Sequence, residues 1–221
     1  VRPVIDEDET FDGTWPFAPF FFGGCGFKQH YVIEGGGDPI LLLHGEPTWS
    51  YLYAGVVPKL VAAGYRCIAP DLRGIGGSER TKGGYDKKTM AQDIHALAVS
   101  LGYKKTAIAG HDIGLMVAYA YAAQYPAEVE RIALLDAFLP GVGDWQSVWL
   151  LRDLWHFHFY GEVPLKLVEG RERIYFEHFW NDFAADRTRS VPEVDRQALL
   201  VAGVDLPVGI DAFDFPGTQG V

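Results

Sequence analysis

Gly110-His111-Asp112-Ile113-Gly114 is the stretch of this 221-residue chain best fitted to do chemistry. It follows an apolar run, Thr106 to Ala109, and precedes an Ala/Tyr-rich helical run, Leu115 to Tyr125. Small residues two positions either side of a central reactive residue, between a strand and a helix, describe a nucleophile elbow. The turn is so tight that bulky flanking side chains would collide, which explains a glycine at each edge. In ester-cleaving versions the central residue is serine; here it is Asp112. A carboxylate in that place attacks carbon and forms an enzyme ester, so its substrate is an electrophilic alkyl carbon rather than an acyl group. The same aspartate, heading a helix, also fits a plain N-cap.

The elements around the elbow must alternate strand and helix to hold it. Residues 1–25 are rich in Pro, Gly and Phe and read as an irregular arm over the surface. Phe27 to Ile33 reads as a strand, and Gly35-Gly36-Gly37-Asp38 as a tight turn. Pro39 to Leu43 is a continuous apolar strand of the kind buried in a parallel sheet. Trp49 to Ala63 reads as a helix stopped by Gly64, and Tyr65 to Ala69 as the next strand, ended by Pro70-Asp71. Lys88 to Leu101 has helical periodicity at Met90, Ile94, Leu97, Ala98 and Leu101, with Gly102 as its C-cap. Strand 106–109, helix 115–125 and strand Arg131 to Leu135 follow, with Asp136 at the last strand's end. This order predicts an α/β sheet with right-handed crossovers. After Asp136 the pattern changes to a strand-free, aromatic-rich stretch from 137 to about 197, expected to be a helical cap whose aromatics mostly pack on one another.

Composition narrows the class. Apolar residues make up 48% and charged residues 22% of the chain, as in an ordinary globular protein. A net charge of −10 and the lack of a basic stripe argue against nucleic acid. No apolar run is long enough to span a bilayer, and the acidic N-terminus (Asp6 to Glu9) lacks the positive region of a signal peptide. Two cysteines make no disulfide framework, and Cys67 reads as a small core residue. The default expectation is a cytoplasmic protein with no metal or other cofactor. No phosphate loop, metal-ligand cluster or Gly-x-Ser-x-Gly occurs.

Three segments in order, each at the C-terminal end of an expected strand, carry a family resemblance. They are His44-Gly45-Glu46-Pro47-Thr48-Trp49, then Asp71-Leu72-Arg73-Gly74-Ile75-Gly76-Gly77-Ser78, then the elbow. Together they resemble the α/β-hydrolase superfamily, in the branch of epoxide hydrolases, haloalkane dehalogenases and fluoroacetate dehalogenases. The resemblance covers roughly residues 13–197. It implies a core over 1–136, a cap over 137–197, and Asp112 as nucleophile. It also implies an oxyanion hole from the backbone N–H groups of Glu46 and Ile113, and Asp136 as the acid that orients a base. A strand-end aspartate opening the cap fits Asp136 as well. His44 and His111 read as framework histidines rather than bases.

The resemblance implies three related reactions, separated by small differences. Haloalkane dehalogenases usually place Trp after the nucleophile to hold the halide; here that residue is Ile113. Fluoroacetate dehalogenases carry arginines there to clamp a carboxylate, whereas Ile113, Leu115 and Met116 leave the floor apolar. Glu46-Pro47-Thr48-Trp49 keeps the dehalogenase reading open. Trp155-His156-Phe157-His158-Phe159 resembles a cap segment that presents a histidine over the nucleophile in one subgroup of epoxide hydrolases. His156 is thus the candidate ring-opening partner, and a structural cap histidine is the equal alternative. Trp49, Met116, Trp155 and Phe157 are expected to line a pocket for a small, neutral, hydrophobic molecule. The leading expectation is epoxide opening through an aspartyl ester, with dehalogenation next. A non-catalytic hydrolase-fold protein is the alternative of another class, and nothing specifies an oligomer.

From about Ala198 the resemblance stops. Leu199 to Val221 contains no Lys, Arg, Glu or His, and after Asp136 the histidines are His156, His158 and His178. A relative would continue with an aromatic cap helix, often carrying a ring-opening tyrosine, then two strands and the catalytic histidine. Truncation, a degenerate gene and a reading-frame shift near residue 197 each account for this, and the abruptness of the change favours the frame shift. An exposed apolar sheet edge is expected to follow.

Overall fold

The computed structural model describes residues 10–159 and 161–183. The expectations for residues 1–9, for the end of the cap (184–197) and for the tail (198–221) lie outside the described residues. The strands are β1 (Phe20–Phe22), β2 (Gln29–Gly35), β3 (Asp38–Leu43), β4 (Tyr65–Pro70), β5 (Thr106–His111) and β6 (Val129–Leu135). They form one sheet in the order β1-β2-β4-β3-β5-β6. β3 is parallel to both β4 and β5, and β5 is parallel to β6, whereas β1 and β2 run antiparallel at one side. The parallel centre is covered on both faces, which is why Leu41, Leu42, Leu43 and Ile68 are at most 1% exposed. Full burial of such a side chain contributes roughly 1.5–3 kcal/mol.

Three helices flank this sheet: α1 (Val57–Ala62), α2 (Lys87–Ser100) and α3 (Ile113–Gln124). The Asp86 side chain caps α2 by accepting the Thr89 N–H at 2.8 Å. Its apolar stripe, Met90, Ile94, Leu97 and Ala98, is wholly buried. α3 packs on β3, β5 and β6, with α2 beside it, and buries Val117, Ala118 and Tyr121.

Two expectations need correction. Trp49 to Ala63 is not one helix: a 3₁₀ turn over Ser50–Tyr53 is followed by α1. Gly55 lowers helix propensity between them, and Pro58, which lacks an N–H, is tolerated only in a first turn, so α1 starts there. The stretch before residue 25 is also more ordered than a surface arm. β1 pairs with β2, Phe20 stacks on Tyr31 at 5.6 Å, and Trp15 is buried against Trp49 and Tyr51.

One buried carboxylate ties the loops at the C-terminal ends of the strands together. Asp71 accepts the backbone N–H groups of Ser50 (2.8 Å) and Gly77 (2.7 Å) and the Nδ1–H of His30 (2.8 Å). Beside it, His44 Nε2 accepts the Leu72 N–H at 2.9 Å while Nδ1 donates to Gly45 O at 3.0 Å, which fixes its tautomer. Burial holds the His44 pKa below the usual histidine value, so it is a framework residue. Arg73 grips Asp93 with two bonds of 2.9 and 2.7 Å and lies over the Phe27 ring.

β6 is the outer strand among the described residues, and its Ile132, Leu134 and Leu135 are exposed. After it come four short helical pieces: α4 (Trp145–Trp149), a 3₁₀ turn over Arg152–His158, α5 (Glu162–Val168) and α6 (Glu172–His178). A π-helical turn, Phe179–Phe183, closes the described chain. The segment 137–183 contains no strand among the described residues. Phe157 joins it to α3 in a small core with Leu115 and Met116, edged by Phe138, Leu139, Trp149 and Leu154.

Candidate active site

Asp112 stands between β5 and α3 with φ 53° and ψ −123°, a backbone conformation that residues with a Cβ rarely adopt. The crowding at the turn explains its glycines. A Cβ on Gly110 would lie 2.2 Å from Gly114 O, and one on Gly114 would lie 2.1 Å from Leu43 O. The Asp112 N–H donates to Leu135 O at 3.1 Å, which pins the elbow to β6.

The Asp112 carboxylate makes no capping bond to α3. Its Oδ1 instead accepts the Glu46 backbone N–H at 3.0 Å, and the adjacent Ile113 amide favours the charged carboxylate. The loop after β3 therefore brings Glu46 directly against the elbow. Its close approach requires Gly45, where a Cβ would lie 2.4 Å from that of Asp112. Two backbone donors converging on one carboxylate can hold negative charge on an oxygen there, whether of the carboxylate or of an intermediate formed on it.

Asp112 opens on a cleft lined by Glu46, Asp112, Ile113, His156, Phe157, Tyr175 and Phe179. One wall is the elbow and the loop after β3; the other is the 3₁₀ turn 152–158 and α6 with the turn after it. Burial raises the Asp112 pKa, opposed by the Ile113 and Glu46 amides and by the nearby charges of His111 and Lys87. Burial, and then the Asp112 charge, push the Glu46 carboxyl up to about 8, with Lys87 opposing. Lys87, at the start of α2, is only 5% exposed. Burial pulls its ammonium down to about 8, against the charges of Asp112, Glu46 and Asp86. His156 is pushed down to about 4, first by burial and then by His178 and His158. The Tyr175 phenol is raised by burial and by the Glu46 and Asp112 charges. Near neutral pH the far wall thus presents a neutral imidazole and an intact phenol.

Of the residues expected to form a pocket, Phe157 lines the cleft and three others do not. Trp49 packs into the main core with Phe11, Trp15 and Tyr51. Met116 lies one helical turn below Asp112, beneath the cleft floor with Leu115 and Phe157. Trp155 is turned toward Tyr175, Phe159 and His178, and its Nε1 donates to His178 Nε2 at 3.1 Å. Asp136 also adopts a positive φ, 52°. Its side chain is 93% exposed, and its Oδ2 lies 3.9 Å from His111 Nε2. The elbow places His111 beside that aspartate rather than in the cleft lining.

The residues missed from sequence are Tyr175, Phe179 and Lys87. Tyr175 and Phe179 share a helix face at the i, i+4 spacing, a signal present in the sequence. A lysine at a helix start ordinarily reads as solvent-exposed. Among the described residues no cluster of three or more His, Cys, Asp or Glu side chains is arranged for a metal ion. No helix among them is long and apolar enough to cross a membrane.

The sequence profile of the α/β hydrolase fold matches residues 38–199. Over 160 residues the chain is 42% identical to the soluble epoxide hydrolase of Corynebacterium sp. strain C12, covering 70% of this chain and 55% of that protein. Over 117 residues it is 36% identical to a haloalkane dehalogenase of Mycobacterium marinum, covering 51% of this chain and 39% of that protein. The solved structure of the epoxide hydrolase CorEH without ligand matches with a TM-score of 0.74 at 30% identity, over 88% of this chain and 70% of that one. The chain spans about half or less of the length of these two curated relatives.

Proposed function

The chain belongs to the α/β-hydrolase fold family, and on that premise we propose that Asp112 opens the ring of a small, neutral, hydrophobic epoxide by forming an ester with it. One observation carries the reading: a carboxylate held at a strained elbow, bonded by the Glu46 amide instead of capping its helix, faces a cleft whose far wall holds His156 and Tyr175. Asp112 attacks a ring carbon with the oxygen not engaged by Glu46 N–H, and the carbon–oxygen bond of the ring breaks. His156 and Tyr175 hydrogen-bond the ring oxygen as negative charge develops on it. In the second half of the reaction, water attacks the ester carbonyl and the Glu46 and Ile113 amides hold the oxyanion. A histidine oriented by Asp136 would activate that water. No histidine follows His178 in these 221 residues, so this chain is expected to stop at the ester. The cap (137–197) supplies the substrate-facing aromatics.

Dehalogenation through the same nucleophile is the rival, favoured by the Glu46-Pro47-Thr48-Trp49 loop and by the similarity to a haloalkane dehalogenase. Against it, Ile113 offers no side-chain donor to a departing halide. Intact-mass spectrometry after incubation with 1,2-epoxybutane tests the proposal. The expected result is one adduct per chain, lost in Asp112→Ala. An adduct that persists in that variant, or none in the parent chain, overturns it. Sustained diol formation by the 221-residue chain would refute the halt at the ester, and halide release from a bromoalkane without epoxide capture would promote the rival. A purely binding role would survive Asp112→Ala.

A further inference from the structure

We propose that Glu46 is the acid that protonates the ring oxygen as Asp112 attacks, so that the two carboxyls of the cleft work as proton donor and nucleophile. This rests on the epoxide-opening reading.

The placement comes first. The Glu46 backbone is fixed beside the nucleophile by its 3.0 Å bond to Asp112 Oδ1, and Glu46 itself lines the cleft. Among the described residues no hydrogen bond or ion pair engages its carboxyl, so the group is uncommitted. The charges around it decide where a proton sits. Facing Glu46 are Asp112 from the elbow, Lys87 from the start of α2 with Asp86 beside it, and Tyr175 from α6. His156 lies across the cleft. Lys87 is the buried cation of this group and balances one anion, so the second carboxyl keeps its proton. The Glu46 amide bonds the Asp112 carboxylate and the adjacent Ile113 amide favours its charged form, whereas no amide does either for the Glu46 carboxyl. The proton therefore resides on Glu46. Two neighbouring acids whose surroundings drive their affinities apart divide into an acid and an anion.

The competing donors are weaker candidates. The His156 imidazole is neutral near pH 7, and the Tyr175 phenol is pushed away from neutrality. A proton donor works best when its own affinity lies near the working pH, and Glu46, at about 8, meets that condition. In the step itself, the bond from Asp112 to the ring carbon forms and the ring carbon–oxygen bond breaks. The bonding pair goes to oxygen, which takes the Glu46 proton. Asp112 loses its charge to the ester as Glu46 gains one, so Lys87 faces one anion before and after.

The test is capture kinetics of the 221-residue chain, followed by intact mass from about pH 5.5 to 9.5. Two probes are used: 1,2-epoxybutane, and 1-bromobutane, whose leaving group needs no proton. Capture of the epoxide should fall about tenfold per pH unit above about pH 8, without a matching fall for the bromide. Titration of Lys87 would move both probes together. Glu46→Gln should lower epoxide capture about a hundredfold and flatten that alkaline limb, with a loss at least tenfold smaller on the bromide. Parallel pH profiles in the parent chain, or equal losses on both probes in the variant, overturn the proposal. The parent-chain comparison holds even where the variant misfolds. Absence of adduct from both probes, or adduct in Asp112→Ala, would instead strike the underlying reading.

Discussion

Replacing Asp71 with asparagine removes the charge on which the loops around the site converge. Its carboxylate is fully buried and receives three donors: Ser50 N–H on Oδ1, and Gly77 N–H and His30 Nδ1–H on Oδ2. An asparagine offers one acceptor oxygen and one amide donor. Whichever way it turns, at least one N–H meets another N–H. An orphaned donor to a formerly charged partner costs about 1.5–3 kcal/mol, and unpairing His30 brings the total to roughly 3–5 kcal/mol. Against a typical stability of about 5–15 kcal/mol, the melting temperature should fall by about 6–20 °C. The pH dependence supplies a second signature. Burial alone would raise the Asp71 pKa, but the His30 charge and bond, His44 and the Ser50 amide together hold it below the usual aspartate range. A depressed folded-state pKa gives stability that is complete above the unfolded value and disappears as pH falls through the folded one. The gap between parent and variant should therefore be widest near pH 7 and narrow below about pH 4. Thermal and urea unfolding followed by circular dichroism measure both. A difference under about 1 kcal/mol, or one unchanged from pH 7 to pH 3, would refute the reasoning.

Four further outcomes are expected. Gly114→Ala should destabilise the chain by more than about 2 kcal/mol in urea unfolding, because its Cβ would sit 2.1 Å from Leu43 O, and epoxide capture should weaken with it. Arg73→Lys keeps the charge but loses the two-pronged grip on Asp93, so denaturation should show a loss of about 1–3 kcal/mol. Tyr175→Phe should slow epoxide capture about tenfold, the worth of one hydrogen bond, as read by adduct formation. His156→Gln should slow it similarly while leaving the limbs of the pH profile in place, because the imidazole, at about 4, is already neutral over the working range.

The elements that position the site were legible wherever a run of apolar residues or a glycine dictated them. α2 starts and ends within one residue of the stretch read from its periodicity, and the elbow lies where its glycines required. β6 begins two residues earlier than expected because Val129, outside the apolar run, pairs with Thr106 of β5 across a register shift that skips Glu130. What sequence could not give was direction. Trp49 sits three residues beyond Glu46 in the same loop, yet its ring turns to Trp15 and the main core, while Glu46 meets the cleft. Lys87 was illegible for a related reason. Two of the three carboxyls whose charges oppose the cost of its burial, Glu46 and Asp112, are brought toward it from distant parts of the chain by β3 and β5.

The two walls of the cleft differ in how they are held. The elbow is fixed by its backbone bond to β6 and by crowded glycines, and the loop beside it is tied into the Asp71 network. The opposite wall comes from helical pieces of five to seven residues, too short to be stable alone and dependent on aromatic contacts. Changes at Phe157, Tyr175 or Phe179 can therefore alter the size and shape of an acceptable substrate without disturbing the carboxylate or its amides. New substrate ranges are open to selection on one side of the cleft, while the reacting side stays constant.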